Sequence, residues 1–506
     1  MRLNYLCEQQ GIKMPLLIIL LTLSQLSAFS QNWRLITPTY PTTDAPVIAL
    51  SVADSGATGD GVTDVTSIFR NSLNSLGKLG GGTLFVPKGK YVIKGNLTMP
   101  KGVSMRGEWQ QPVKGQPIVG TILMAYAGHD NASAAAFITM QPSTLVQDMS
   151  IWYPEQLPDN IVPYPPTLLF GQTGYFGNDF CNAKNVTLVN AYDGIIFSAV
   201  NGGGCPVIFN VYGTPLHTGI QIDRVADVGR IQQIDFSPSY WSGSGLANAP
   251  ATGSSYASWI YQNGTGIMMR RNDWTNTHFV NVEGYNVGFR ASQSVSSPGT
   301  YPNGEHYAMT FSNCNTAVQV DGMQTVGIMF TRVTITGCTS GFVLAPNTKK
   351  GTIQLHTCTI SASGNAISID SSVTGSFLMQ HTTINSGKVN ISGSTFTASD
   401  CDFNNGSQQN TIGPRARTIL TGNRFSGGTN IQNNSLYVSS VDNTPLSLNQ
   451  LPSFPNITPE THMPPRLVLY LATAAPYNAK GDGTTDNTTA IQNALNQAAA
   501  DGGGIV

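Results

Sequence analysis

Runs of three to five residues in apolar alternation return along this chain about every 22 residues, a spacing that suits stacked coils better than separate hairpins. Val186–Leu188, Ile208–Val211 and Ile231–Ile234 begin 22 and 23 residues apart (208 − 186, 231 − 208). Cys358–Ile360 is echoed by Thr382–Ile384 and Cys401–Phe403. Ala366–Ile369 and Lys388–Ile391 each follow a glycine turn, at Gly364 or Gly387. Strands this short cannot bury an apolar face alone. Wound into one spiral with turns about 4.8 Å apart, they share a continuous core. The predicted fold is all-β, a parallel β-helix, right-handed by the crossover rule, with Leu188, Val211 and Ile234 in one inward column.

The cysteines follow the same period. Cys181 and Cys205 are 24 apart, as are Cys314 and Cys338, and Cys358 follows at 20, with Cys401 beyond (205 − 181, 338 − 314, 358 − 338). The spacing reads as one inward position revisited on successive coils, where Cys behaves as a small hydrophobe. Parallel Cβ vectors are poor disulfide geometry. No CxxC pair and no histidine at ligand spacing occur, so no metal site is expected and His217 and its fellows carry no role.

Arg2, Lys13, the apolar run Pro15–Leu21 and small residues Ala28 and Ser30 read as a signal peptide over residues 1–30, placing the mature chain outside the cytoplasm. The run is too short for a confident span, so no membrane insertion is expected. A net charge of −1 gives no basis for nucleic acid binding.

Ala57–Asp64 (ATGDGVTD) returns as Ala479–Asp486 (AKGDGTTD), an offset of 422 (479 − 57), and Asn71, Leu73 and Gly80–Gly82 recur at Asn493, Leu495 and Gly502–Gly504 in the same register. In the first copy a glycine turn leads to Asp64 as a helix cap. Ile68, Phe69, Leu73 and Leu76 then share one helical face, suited to cover the open end of a coil stack. The second copy stops at Ile505–Val506, so the chain is expected to be a fragment. Four parts result: signal peptide 1–30, a first β-helix over 31–445, a proline-rich linker over 446–475, and the start of a second β-helix at 476–506.

Val52–Asp64, with Gly81–Tyr91 and Val103–Gly107, resembles the pectate-lyase-like N-terminal module of rhamnogalacturonase, epimerase and tailspike relatives. Two such starts in one exported chain are similar to glycoside hydrolase family 55, β-1,3-glucanases with two β-helices side by side. The resemblance implies a polysaccharide partner, a cleft between the helices, and a catalytic carboxylate in the second helix, here beyond Val506. It implies no cofactor.

Glycan sites need carboxylates at a set separation and aromatic platforms. Strand parity turns Asp235 outward between Ile234 and Phe236, and turns Glu283 outward after Val280 and Val282. If the intervening loop lets these strands lie one or two coils apart, the two acids would stand about 5–10 Å apart. Asp273, beside Trp274, is a third candidate. Trp152, Tyr164, Trp241, Trp259 and Trp274 lie in interruptions of the coil pattern and are candidate sugar platforms, or rings that pin loops to the coil wall. The leading expectation is hydrolysis of a neutral β-glucan. Alternatives are a lyase acting on uronic acid polymers and a non-catalytic glycan-binding protein.

Overall fold

The computed structural model describes residues 33–36, 39–40, 44, 47–171, 179–197, 202–346, 348–349, 351–437, 439–442, 444 and 468–506. The signal peptide and residues 446–467 of the linker lie outside the described residues.

Each coil pairs a bent strand with a straight one. The central bent strands are β1 (Asn182–Leu188), β3 (Val207–Gly213), β5 (Arg230–Phe236) and β7 (Asn276–Glu283). The straight ones between them are β2 (Asp193–Phe197), β4 (Thr218–Ile222) and β6 (Thr265–Met269). Bent strands pair with bent and straight with straight, always parallel, so the strands form columns around one apolar interior. The fold is the expected parallel β-helix. Its inward column is Val186, Val211, Ile234 and Val280, all essentially without exposed surface. Leu188 stands two positions further on, opposite Gly213, and corrects the column drawn from sequence.

The bend in each long strand is a single left-handed residue: Asp148, Asn185, Asn210, Gln233 and Phe279 have φ between 53° and 60°. Asp and Asn tolerate this region better than other side chains, which explains the first three. The corner polar groups also satisfy each other. Asn210 Nδ2 donates to Asn185 Oδ1 at 2.6 Å, Asn185 Nδ2 to Asp148 Oδ1 at 2.6 Å, and Arg106 Nε to Asp148 Oδ2 at 2.9 Å. A buried polar ladder of this kind fixes coil register, because a slipped coil would leave each group without its partner.

The N-terminal end is closed by α1 (Thr66–Lys78). Phe69, Leu73 and Leu76 are fully buried against the first coil, with Ile68 packed at the margin. The N-cap is Val65 rather than the expected Asp64, which stands one residue earlier and accepts from Thr66 N at 3.0 Å through Oδ1. All six cysteines after Cys7 are free. They do not form one column. Cys314 N donates to Cys338 Sγ at 3.4 Å, so these two stack, whereas Cys358 precedes a strand whose column continues through Thr382 to Cys401. Even spacing in sequence conceals two corners of the coil.

Among the described residues no helix is long and apolar enough to cross a membrane. The linker expected over 446–475 differs in its described part. Tyr470 N donates to Ile505 O at 2.7 Å, and Tyr470 packs with Ala494 and Ala498 in a small separate core.

Candidate functional site

Asp235 and Glu283 meet. Their strands β5 and β7 are direct neighbours, with Asp235 opposite Asn281 and Glu283 two residues along. Inward Ile234, Phe236, Val280 and Val282 leave both acids on the outer face, as parity predicts. Between them lies a residue the sequence did not suggest. Lys114 Nζ is 3.1 Å from Asp235 Oδ1 and 3.1 Å from Glu283 Oε2, so those oxygens are no more than 6.2 Å apart (twice 3.1 Å).

Lys114 arrives on a strap, residues 107–120, that leaves an early coil and runs along the outside of the stack. Trp109 Nε1 donates to Thr187 Oγ1 at 2.8 Å. Gly115 N donates to Ser239 O at 3.1 Å, and Ile118 N to Ser244 O at 2.9 Å. Ser239 belongs to α2 (Ser239–Ser242), the first turn of an insertion between β5 and β6. The insertion continues into α3 (Ser255–Asn263). Tyr240 of α2 hydrogen-bonds Asp235, and its ring lies 5.9 Å below the Lys114 ammonium. Tyr212 joins Tyr240 to Trp109 in a row, with centroids 6.0 Å apart at each step.

The two acids titrate in opposite directions. Burial pushes the Asp235 carboxyl above the usual range; Lys114 and Tyr240 offset this only in part, and the Glu283 charge adds to it. Glu283 also loses solvent, but hydrogen bonds from Ser237 Oγ (2.9 Å) and Lys114 outweigh that loss and hold it low. Tyr212 is pushed up to about 12 by burial and by Asp235. Two adjacent carboxyls shifted in opposite directions are the kind of pairing that acid–base chemistry uses.

Asp273 lies elsewhere. It sits in an open cleft of about 610 Å³ with Arg271, Tyr301, Gln324 and Lys349, adjoining a hollow of about 180 Å³ that adds Arg224. Arg271 Nη2 donates to Asp273 Oδ2 at 2.7 Å, and Gln324 Nε2 to Oδ1 at 2.9 Å. Trp274 beside it is 40% exposed.

The aromatic candidates separate cleanly. Trp152, Tyr164 and Trp241 are buried and cannot face a sugar. Trp152 belongs to the coil core, Tyr164 packs edge-on to Tyr153 at 4.6 Å, and Trp241 packs edge-on to Tyr256 at 5.2 Å. These rings fix loops to the wall. Trp259 is half-buried and Trp274 exposed, so these two remain available. Among the described residues no cluster of three or more His, Cys, Asp or Glu has a metal-holding arrangement.

Residues 49–152 match the family described as rhamnogalacturonase A/epimerase, pectate lyase-like. Over those residues the β-helix is similar to that family. The match spans the α1 cap, the first coils and the strap that carries Lys114, and stops before Asp235. No curated protein matches the chain. Solved structures similar to this chain include the A-module of mannuronan C-5 epimerase AlgE4 from Azotobacter vinelandii (13% identity, 78% of this chain and 100% of that one, TM-score 0.41). The catalytic unit of a GH87 α-1,3-glucanase from Streptomyces thermodiastaticus aligns at 11% identity over 81% and 70% of the two chains, with TM-score 0.35. The Dettilon tailspike protein aligns at 14% over 77% and 68%, with TM-score 0.41. Likeness at this level says nothing of reaction.

Proposed function

We propose that the protein is an exported carbohydrate-active enzyme that hydrolyses a polysaccharide, a neutral β-glucan, through Asp235 and Glu283. Asp235, whose carboxyl burial pushes upward, donates its proton to the glycosidic oxygen as the bond breaks. Glu283, held ionised, attacks the anomeric carbon to give a glycosyl-enzyme. Water then resolves that intermediate, with Asp235 as base. The bridging oxygens are closer than the about 6.5–9.5 Å that leaves room for an attacking water in inverting enzymes, which favours retention. Lys114 tunes both acids from one point. The observation that carries the reading is the pair of outward carboxylates on neighbouring coils, each 3.1 Å from the Lys114 ammonium.

In the same reading residues 476–506 begin a second β-helix, as in the β-1,3-glucanases named above, because their motif repeats that of the first cap. Incubation with neutral β-glucans tests the proposal. New reducing ends without ultraviolet absorbance, and with the anomer of the substrate, are expected.

One observation favours a lyase instead. The open cleft around Asp273 presents Arg271 and Lys349, cations suited to a uronate carboxylate. Unsaturated products from polygalacturonate, lost in Arg271→Ala, would transfer the reading to that cleft.

A further inference from the structure

The insertion that supplies Tyr240 to the acid pair supplies a second wall at its other end. Tyr192 and His217 each stand one residue before a straight strand, β2 and β4, whose register pairs Asp193 with Thr218. They are therefore consecutive rungs, and their rings stack at 4.8 Å and 18°, the spacing of the coils themselves. The next rung is Gly264. A Cβ there would fall 2.8 Å from Leu216 O and 2.9 Å from Ile260 Cγ2, so glycine lets the end of α3 close onto the column. That closure sets Trp259 beside Tyr192, with centroids 5.9 Å apart and planes at 53°. The result is a half-exposed aromatic corner on the surface of the stack.

The polar groups of this corner are oriented. His217 Nδ1 is 2.8 Å from Asp193 Oδ1, and Thr218 Oγ1 lies 3.3 Å from the same nitrogen. The carboxylate can only accept, so it selects the tautomer with the proton on Nδ1 and leaves Nε2 as an acceptor. The His217 side chain is 43% exposed, which gives that nitrogen access to solvent.

We infer that Tyr192, His217 and Trp259 form a subsite for a neutral pyranose ring, which stacks on the corner and donates hydroxyls to His217 Nε2 and the Asp193 carboxylate. Aromatic walls with a few fixed polar groups are the usual make-up of small-ligand sites. Acceptors suit hydroxyl donors and repel a uronate, so the subsite selects neutral glycan over polyuronate. The inference rests on the reading that the partner is a polysaccharide, and it adds a place where that chain is held apart from the acid pair.

The test is calorimetric titration of the full chain with laminarin oligosaccharides and with polygalacturonate, repeated for His217→Ala, Trp259→Ala and the conservative Trp259→Phe. Thermal melting of each variant verifies folding. Laminarin oligosaccharides are expected to bind, with affinity about tenfold weaker in each alanine variant and largely kept in Trp259→Phe. Binding that is indifferent to both alanine changes would overturn the subsite and leave the polysaccharide reading standing. Preference for polygalacturonate would overturn the proposed selectivity for neutral sugar. If neither glycan binds, the subsite and the polysaccharide reading are overturned together.

Discussion

Asp60 and Asp482 make the same three hydrogen bonds at two places in the chain. Asp60 Oδ1 accepts from Val62 N and Thr63 N at 2.8 Å each, and its Oδ2 from Thr63 Oγ1 at 2.7 Å. Asp482 Oδ1 accepts from Thr484 N at 3.0 Å and Thr485 N at 2.7 Å, and its Oδ2 from Thr485 Oγ1 at 2.6 Å. Each carboxylate satisfies the backbone amides two and three residues on, just ahead of a helix. Those helices, α1 and α4 (Thr488–Ala500), have 13 residues each and begin 422 apart (488 − 66).

The two caps differ in what they cover. Phe69 and Leu73 are fully buried, whereas their counterparts Ile491 and Leu495 are 45% and 46% exposed. Phe69→Ala should therefore cost about 3–5 kcal/mol, the usual loss for a buried ring. Ile491→Ala should cost about 0.5 kcal/mol or less in the same chain. Urea unfolding of both variants measures the contrast, and equal losses would contradict the assigned burial.

Lys114 should govern the pH window of activity. Its ammonium lowers the carboxyl of Asp235 and that of Glu283. Activity requires Glu283 ionised and Asp235 protonated, so the rate falls below the first titration and above the second. Lys114→Met removes the cation and raises both, moving both limbs of the kcat/KM profile to higher pH by about one unit. Limbs that stay in place would show that the lysine only anchors the strap.

Acid should weaken the coil stack through His306. This imidazole is buried between Phe289 and Phe330 and meets Thr277 Oγ1 at 2.9 Å. Burial, with help from His278, pushes its pKa down to about 3. The folded value lies below the unfolded one, so stability is complete above about pH 6.5. It then falls by up to about 1.4 kcal/mol per unit as the unfolded chain alone takes up the proton. Urea midpoints at about pH 7 and about pH 4.5 should differ less in His306→Leu than in the parent. An equal difference would remove His306 from the acid response.

Much of the fold was legible because each coil repeats one local rule. Alternation turned Val280 and Val282 inward and Glu283 outward, whereas the adjacency of β5 and β7 depended on the insertion between them. The cap was legible for the same reason, since Phe69, Leu73 and Leu76 recur at helical intervals. Lys114 was hidden, because nothing local to Gln110–Gln116 marks a strap that reaches across several coils. The buried fate of Trp152, Tyr164 and Trp241 was hidden too: loop composition cannot tell a ring that faces solvent from one that pins its loop. The His217–Asp193 pair escaped notice because its partners are 24 residues apart and become neighbours only once coil register is known.

The most direct test of the account is the rate at which a neutral β-glucan gains reducing ends with the parent chain, Asp235→Asn and Glu283→Gln. Measurable hydrolysis by the parent is expected, with a fall of about 10²–10⁴-fold in each variant and melting temperatures little changed. Hydrolysis that proceeds at the parental rate without either carboxylate would contradict it.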